Sequence, residues 1–246
     1  MKRLCSILIL LLMGGVLIGR DFKSSVMEYF DSRLDGLTGV AAFETFVQDH
    51  PHYFPEISFE NPVHVVVDKE RVRIGKKKIK IGTSYLQVVI EGDPAFLRQM
   101  MESPHWYKDI YDLDNEASLG SVEEGGRFKA HIFKKVPVIS DQDYILTFWS
   151  RSIDNLWFQR ATLVEDLKDF ALRDNLKILQ PVEGGVVYRE VSFVYPLGWL
   201  ARALSGMARK TMIKELKIMG NAIKCIAEKG LPFDPTFAES CWERFK

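Results

Sequence analysis

Leu176-Lys177-Ile178-Leu179-Gln180-Pro181-Val182-Glu183-Gly184-Gly185-Val186-Val187-Tyr188-Arg189-Glu190-Val191-Ser192-Phe193-Val194-Tyr195-Pro196-Leu197-Gly198 is the stretch on which the fold turns. Two apolar-rich runs, Leu176–Pro181 and Val186–Tyr195, flank Glu183-Gly184-Gly185. Strands joined this tightly must pair antiparallel. With a tight turn at Gly184-Gly185, Leu176, Ile178, Val191 and Phe193 share one face of the hairpin, together with Gln180 and Arg189. Pro196-Leu197-Gly198 then ends the strand, and the period changes. From Trp199 to about Lys229 the chain reads as one long helix, with Leu200, Leu204, Met207, Thr211, Leu216, Met219, Ile223 and Ile226 as its apolar stripe. Gly230 and Pro232 stop it.

Upstream the same grammar repeats. Asp143–Ile153 and Leu156–Val164 flank Asp154-Asn155, a two-residue hairpin turn. That pairing places Tyr144, Leu146 and Phe148 on one face with Trp157, Ala161 and Leu163. Ile145, Trp149 and Phe158 fall on the other, for which the N-terminal helices are the candidate cover. Gly125-Gly126 precedes a strand over Arg127–Lys134. Gly92-Asp93-Pro94 starts a helix, with Asp93 as cap and Pro94 in its first turn, and Ser103-Pro104 ends it. Lys78–Glu91 reads as a long strand, and His64–Val67 and Val72–Ile74 as a short hairpin around Asp68-Lys69-Glu70. Phe22, Val26, Phe30 and Leu34 recur at helical spacing, and Val40–Gln48 reads as a second helix. Pro51, Pro55 and Pro62 mark a connection.

The chain has 246 residues, 47% hydrophobic and 12% aromatic, which suits a folded core and argues against disorder. Lys+Arg and Asp+Glu both number 33, so there is no basic excess of the kind nucleic-acid binders show. Met1-Lys2-Arg3 followed by the apolar run Leu4–Ile18 and Gly19-Arg20-Asp21 reads as an export signal over 1–19, with an uncleaved anchor through 4–19 as the alternative. Periplasmic or secreted localisation is therefore expected. Of the three cysteines, Cys225 and Cys241 would stand in an oxidising compartment, where either a disulfide or two separate buried thiols fits the sequence.

Chemistry-bearing motifs are few. There is no GxSxG, HExxH, Walker loop or dinucleotide fingerprint, and no cofactor is expected. His50, His52 and His64 lack a carboxylate or cysteine to complete a metal set. His131 with Tyr144 or Asp143 is the one candidate acid–base pair, set against ordinary strand packing. Arg189 on an apolar face is a candidate head-group ligand, set against pairing with an acid such as Glu91. Glu165–Phe170, carrying Leu167, is a candidate gate, and Lys76-Lys77-Lys78 a candidate lipid contact or a solvated loop.

Pro137-Val138-Ile139-Ser140-Asp141-Gln142-Asp143-Tyr144 resembles the P-V-S-x-R-D-[FY] signature of START-type lipid-binding domains, and Tyr195-Pro196-Leu197-Gly198-Trp199-Leu200 is similar to that family's turn into its C-terminal helix. Gly92-Asp93-Pro94 and Trp106 stand in matching order, so the resemblance spans roughly residues 60–230. It implies an α+β helix-grip fold, a curved antiparallel sheet wrapped around a long C-terminal helix, with an apolar cavity between them. Gln142 stands where the family has arginine, and Phe148 where several sterol-binding members place one, which implies a more apolar wall. The expected organisation is a leader (1–19), an N-terminal helical segment and linker (20–60), the START-like domain (61–230) and a C-terminal tail (231–246). The expected function is binding or transport of a hydrophobic small molecule or lipid, with transient membrane contact. A polyketide cyclase/dehydrase-like enzyme and an interaction module with a filled core remain alternatives. The expected ligand-binding residues are Tyr144, Leu146, Phe148, Trp157, Ile178, Arg189, Val191 and Phe193 on the sheet, facing Leu204, Met207 and Met219 on the helix.

Overall fold

The computed structural model describes residues 22–56, 58–103, 106–111, 127–134, 142–167, 171–197 and 208–246. Helix α1 (22–35) and helix α2 (Val40–Asp49) precede strands β1 (Val63–Ile74) and β2 (Lys77–Glu91). Two short helices follow, α3 (Pro94–Glu102) and α4 (Tyr107–Tyr111). Strands β3 (Phe128–Lys134), β4 (Gln142–Ile153), β5 (Leu156–Asp166), β6 (Ala171–Val182) and β7 (Gly185–Pro196) form a meander. Helices α5 (Ala208–Lys229) and α6 (Pro235–Phe245) close the chain. The sheet has seven strands in the order β1-β2-β7-β6-β5-β4-β3, and every pairing is antiparallel.

Turn chemistry sets the registers. Gly184 (φ 78°) closes β6–β7, and Asp154 (φ 50°), a residue type that tolerates the left-handed region, closes β4–β5. The first hairpin departs from the sequence reading. Its turn is at Gly75-Lys76, where Gly75 has φ 56°, so Asp68-Lys69-Glu70 lies within a continuous β1. Those polar residues mark the open side of an edge strand, where alternation with apolar residues is not required.

Both faces of the sheet are covered. On one, α1 lays Val26, Phe30 and Leu34, each fully buried, against Ile81, Phe158, Leu176, Ile178, Val191 and Phe193. Phe30 stacks on Phe193 at 5.6 Å, and Phe43 of α2 meets Phe158 edge-on at 6.4 Å. Fully burying such side chains is worth roughly 1.5–3 kcal/mol each before entropy. On the other face, α5 crosses β1 and β2. The close approach depends on Gly220, where a Cβ would lie 3.0 Å from Val63 Cγ1 and 3.2 Å from Leu86 Cδ1 and Val88 Cγ2. The stretch 231–246, expected as a tail, is largely helix. Asp234 caps α6 by accepting from the Thr236 and Phe237 N–H groups, and Ala238, Cys241 and Trp242 are buried in the core beneath α5. Cys225 and Cys241 form a disulfide that ties α6 to α5.

Candidate functional site

Strand register builds the site. Across the helix-facing side, Ser150 of β4 stands opposite Gln159 of β5, Gln159 opposite Lys177 of β6, and Lys177 opposite Glu190 of β7. Gln159 is 0% exposed, Lys177 1% and Glu190 8%, so this polar row is buried mid-sheet. Lysine and glutamate are almost never buried this deeply unless paired. Lys177 Nζ donates to Tyr111 Oη at 2.5 Å and lies 4.2 Å from the Tyr111 ring centre. Glu190 accepts from Tyr188 Oη at 2.5 Å, Ser192 Oγ at 3.0 Å and Asn175 Nδ2 at 3.2 Å. Two buried acceptors in this neighbourhood have no hydrogen-bond partner among the described residues, Gln159 Oε1 and Asn175 Oδ1. Gln159 spends only its amide, which donates to Met101 O at 2.9 Å. An unpaired buried acceptor costs about 1–3 kcal/mol, so such atoms await a donor from water or a ligand.

Next to the polar row lies an apolar floor. Phe128, Ala130, Ile132, Leu146, Phe148 and Ala161 form one buried cluster on β3–β5, with Phe128 and Phe148 stacked at 4.6 Å. Lys177 Nζ is 5.7 Å from the Phe148 ring centre, so the charge faces the floor's edge.

Burial pushes the Lys177 ammonium down to about 8, against the opposing pull of Glu190, and burial pushes the Tyr111 and Tyr188 phenols well up. A lysine whose folded value lies below its unfolded 10.5 sheds its proton earlier when folded. Stability therefore rises with pH between about 8 and 10.5. Urea unfolding at pH 7 and about 9.5 is expected to show the wild type gaining roughly 1–2 kcal/mol relative to Lys177→Met. Parallel pH dependence in the two proteins would contradict the buried ammonium.

The expected site residues divide between the two faces. Leu146, Phe148 and Trp157 lie on the helix-facing side and are buried, and Tyr144 packs at the edge of the same floor, with Arg173 3.8 Å over its ring. Met219 packs against the core beneath α5. Trp157 is braced, its indole N–H donating to Glu102 Oε1 at 2.8 Å. Leu204 and Met207 lie outside the described residues. Ile178, Arg189, Val191 and Phe193 do share a face, as the hairpin requires, but it is the face covered by α1 and α2. The reason is physical. Both alternating sets of β6 and β7 are largely apolar, because both faces are covered, so alternation does not reveal which set meets the C-terminal helix. Lys177, Gln159 and Glu190 are not among the expected site residues, for the same reason. The available signal was their cross-strand alignment.

Of the two partners the sequence offered His131, Asp143 is the one it meets. His131 Nε2 and Asp143 Oδ1 are 2.7 Å apart, both partly exposed, on the face away from Lys177. Within the expected gate, Leu167 is exposed, and residues 168–170 lie outside the described set. Among the described residues no group of three or more His, Cys, Asp or Glu is arranged to hold a metal.

Seven antiparallel strands with a C-terminal helix packed on the sheet make this an α+β helix-grip fold. No family model and no curated protein matches the sequence. Solved structures do resemble it in shape. A STAR-related lipid transfer protein from Xanthomonas axonopodis is similar over 61% of this chain and 92% of its own, at 10% identity and a TM-score of 0.44. The human StarD13 lipid transfer and protein localization domain is similar over 73% and 94%, at 9% identity and 0.47. The di-domain ARO/CYC protein StfQ from the steffimycin biosynthetic pathway is similar over 74% and 54%, at 9% identity and 0.44. At scores this low the fold assignment rests on the strand order and the packed helix.

Proposed function

We propose that this protein binds an apolar small molecule or lipid carrying one polar end, held between the helix-facing side of the sheet and the C-terminal helix, outside the cytoplasm. One observation carries the reading. Lys177 and the unpartnered Gln159 Oε1 and Asn175 Oδ1 are gathered at the edge of a buried apolar floor. An ammonium donor and two acceptors suit a ligand end that both accepts and donates, such as a carboxylic acid or hydroxyl group. The floor supplies affinity by removing apolar ligand surface from water. The disulfide and the leader-like N-terminal segment support an oxidising, extracytoplasmic setting. That setting, and transient membrane contact, fit carriage of a lipid.

A cyclase-like reading draws on one feature, the Lys177–Tyr111 hydrogen bond, because an amine and a phenol at that distance can exchange a proton. The two readings part on the ligand's fate, recovered unchanged or altered.

The test is mass spectrometry of ligand extracted from natively purified protein, with Ala161→Trp as the occluding variant. Ala161 is 1% exposed and stands opposite Phe148 and Asn175. Filling its site is expected to abolish ligand recovery, at a stability cost of roughly 1–3 kcal/mol. Folded Ala161→Trp protein that still carries the same ligand would overturn the interior site. A wild-type protein that carries and takes up none would support a filled-core interaction module instead.

A further inference from the structure

On the face opposite Lys177, another row crosses the sheet: His64, Gln87, Arg189, Ile178 and Phe158, on β1, β2, β7, β6 and β5 in turn. Arg189 is held from two sides. Its Nε donates to Gln87 Oε1 at 2.5 Å and its Nη1 to Gln180 Oε1 at 2.6 Å. Gln87 is itself fixed, 1% exposed with its amide donating to Pro55 O at 2.7 Å. The rings of Phe43 and Phe54 stand 5.7 and 5.9 Å from the guanidinium carbon.

Both hydrogen-bond partners are neutral amides. Among the described residues no carboxylate pairs with Arg189, and burial alone pushes its value down, to about 10, so it stays charged at neutral pH. The contrast within the same face is Arg160, which pairs with Asp31, Asp35 and Asp174. A guanidinium has five N–H donors, and here two are engaged. The residue is only partly buried, and its other three N–H donors make no hydrogen bond among the described residues. A half-desolvated cation without a counter-charge carries the cost of burial and none of the Coulombic return. Its two amides aim the group without neutralising it, and a fixed fork matches an oxyanion in two places at once.

We propose that Arg189 anchors an oxyanion-binding site on this face of the sheet, beside α2, taking a carboxylate or phosphate group through its remaining N–H donors. The site stands independently of the interior ligand, because the sheet separates the two.

The test titrates sodium phosphate and sodium acetate against sodium chloride at constant ionic strength, so that general screening cancels. Binding is read by calorimetry and by melting temperature, in wild type, Arg189→Gln and Arg189→Lys. Saturable binding of phosphate or acetate, with a matching rise in melting temperature, is expected in wild type. It should vanish in Arg189→Gln and weaken about tenfold in Arg189→Lys, which keeps the charge and loses the fork. Chloride matching both oxyanions, or an undiminished response in Arg189→Gln, would overturn the proposal. If Arg189→Gln does not fold, Arg189→Lys decides alone, and unchanged affinity there overturns it. Sedimentation with phosphatidylcholine vesicles, with and without phosphatidic acid, identifies the source of the oxyanion. Arg189-dependent retention on the acidic vesicles assigns a lipid head group, and binding of soluble anions without retention assigns a free one.

Discussion

Arg160→Ala is expected to destabilise the protein by about 3–5 kcal/mol, the usual cost of removing one partner from a buried ion pair. Arg160 is 2% exposed and Asp174 1%. Arg160 Nη2 lies 2.5 Å from Asp174 Oδ2 and 2.9 Å from Asp31 Oδ1, and Nη1 lies 2.6 Å from Asp35 Oδ1. The guanidinium thus fastens helix α1 to strands β5 and β6. Asp31 and Asp35 reach solvent and tolerate its loss, whereas Asp174 does not. Burial pushes the Asp174 carboxyl up to about 7, with Asp31 adding to the rise and Arg160 pulling against it. Without Arg160 that restraint is gone and the folded value climbs further. A carboxyl whose folded value exceeds its unfolded 3.8 adds stability below that unfolded value and loses it as pH rises through the folded one. The deficit of Arg160→Ala should therefore be larger at pH 8 than at pH 5, as read by urea unfolding. A deficit under about 1 kcal/mol at pH 8 would show that the cluster is solvated. Replacing both partners, as in Arg160→Met with Asp174→Leu, should recover much of the loss, because two apolar groups leave no charge stranded.

Cys225→Ser with Cys241→Ser should cost about 3 kcal/mol. The bond closes a 16-residue separation, and loops of about that length are worth roughly this much in the chain-entropy account. The effect should concentrate in α6. This helix has 11 residues, too short to persist without packing, and it contributes Ala238 and Trp242 to the core under α5. The Trp242 indole N–H also donates to Asp109 O at 3.0 Å, so α6 holds α4 in place. Hydrogen exchange should show α6 losing protection before the sheet does. An unchanged urea midpoint after complete reduction, verified by thiol alkylation, would rule the bond out as a stabilising link.

Local signals were legible wherever one residue type does one job. Asp154 and Gly184 marked two hairpins, Asp93-Pro94 a helix start, and Val26, Phe30 and Leu34 the buried stripe of α1, with Phe22 partly buried at its head. Asp234-Pro235, in the stretch expected as a tail, carries the same cap-and-proline signal as Asp93-Pro94. The site was harder to read. Alternation gives which residues share a face and is silent on what covers it, so Val191 and Phe193 were expected beside Leu146 when they lie beneath α1. Lys177 sits between Leu176 and Ile178, and its burial is a property of three neighbouring strands.

The strand order also governs how the molecule must be made. β1–β2 is a local hairpin and β3 through β7 a local meander, and the two meet only where β2 pairs with β7. Partners across that seam, such as Tyr85 and Val191, lie on the order of a hundred residues apart. Until most of the chain is present, the β2 edge, with Tyr85, Leu86, Val88, Val89 and Ile90, has nothing to bond to. A newly made chain therefore carries an open, sticky ribbon through most of its synthesis, and the joining of the seam is expected to be the slow step of its assembly.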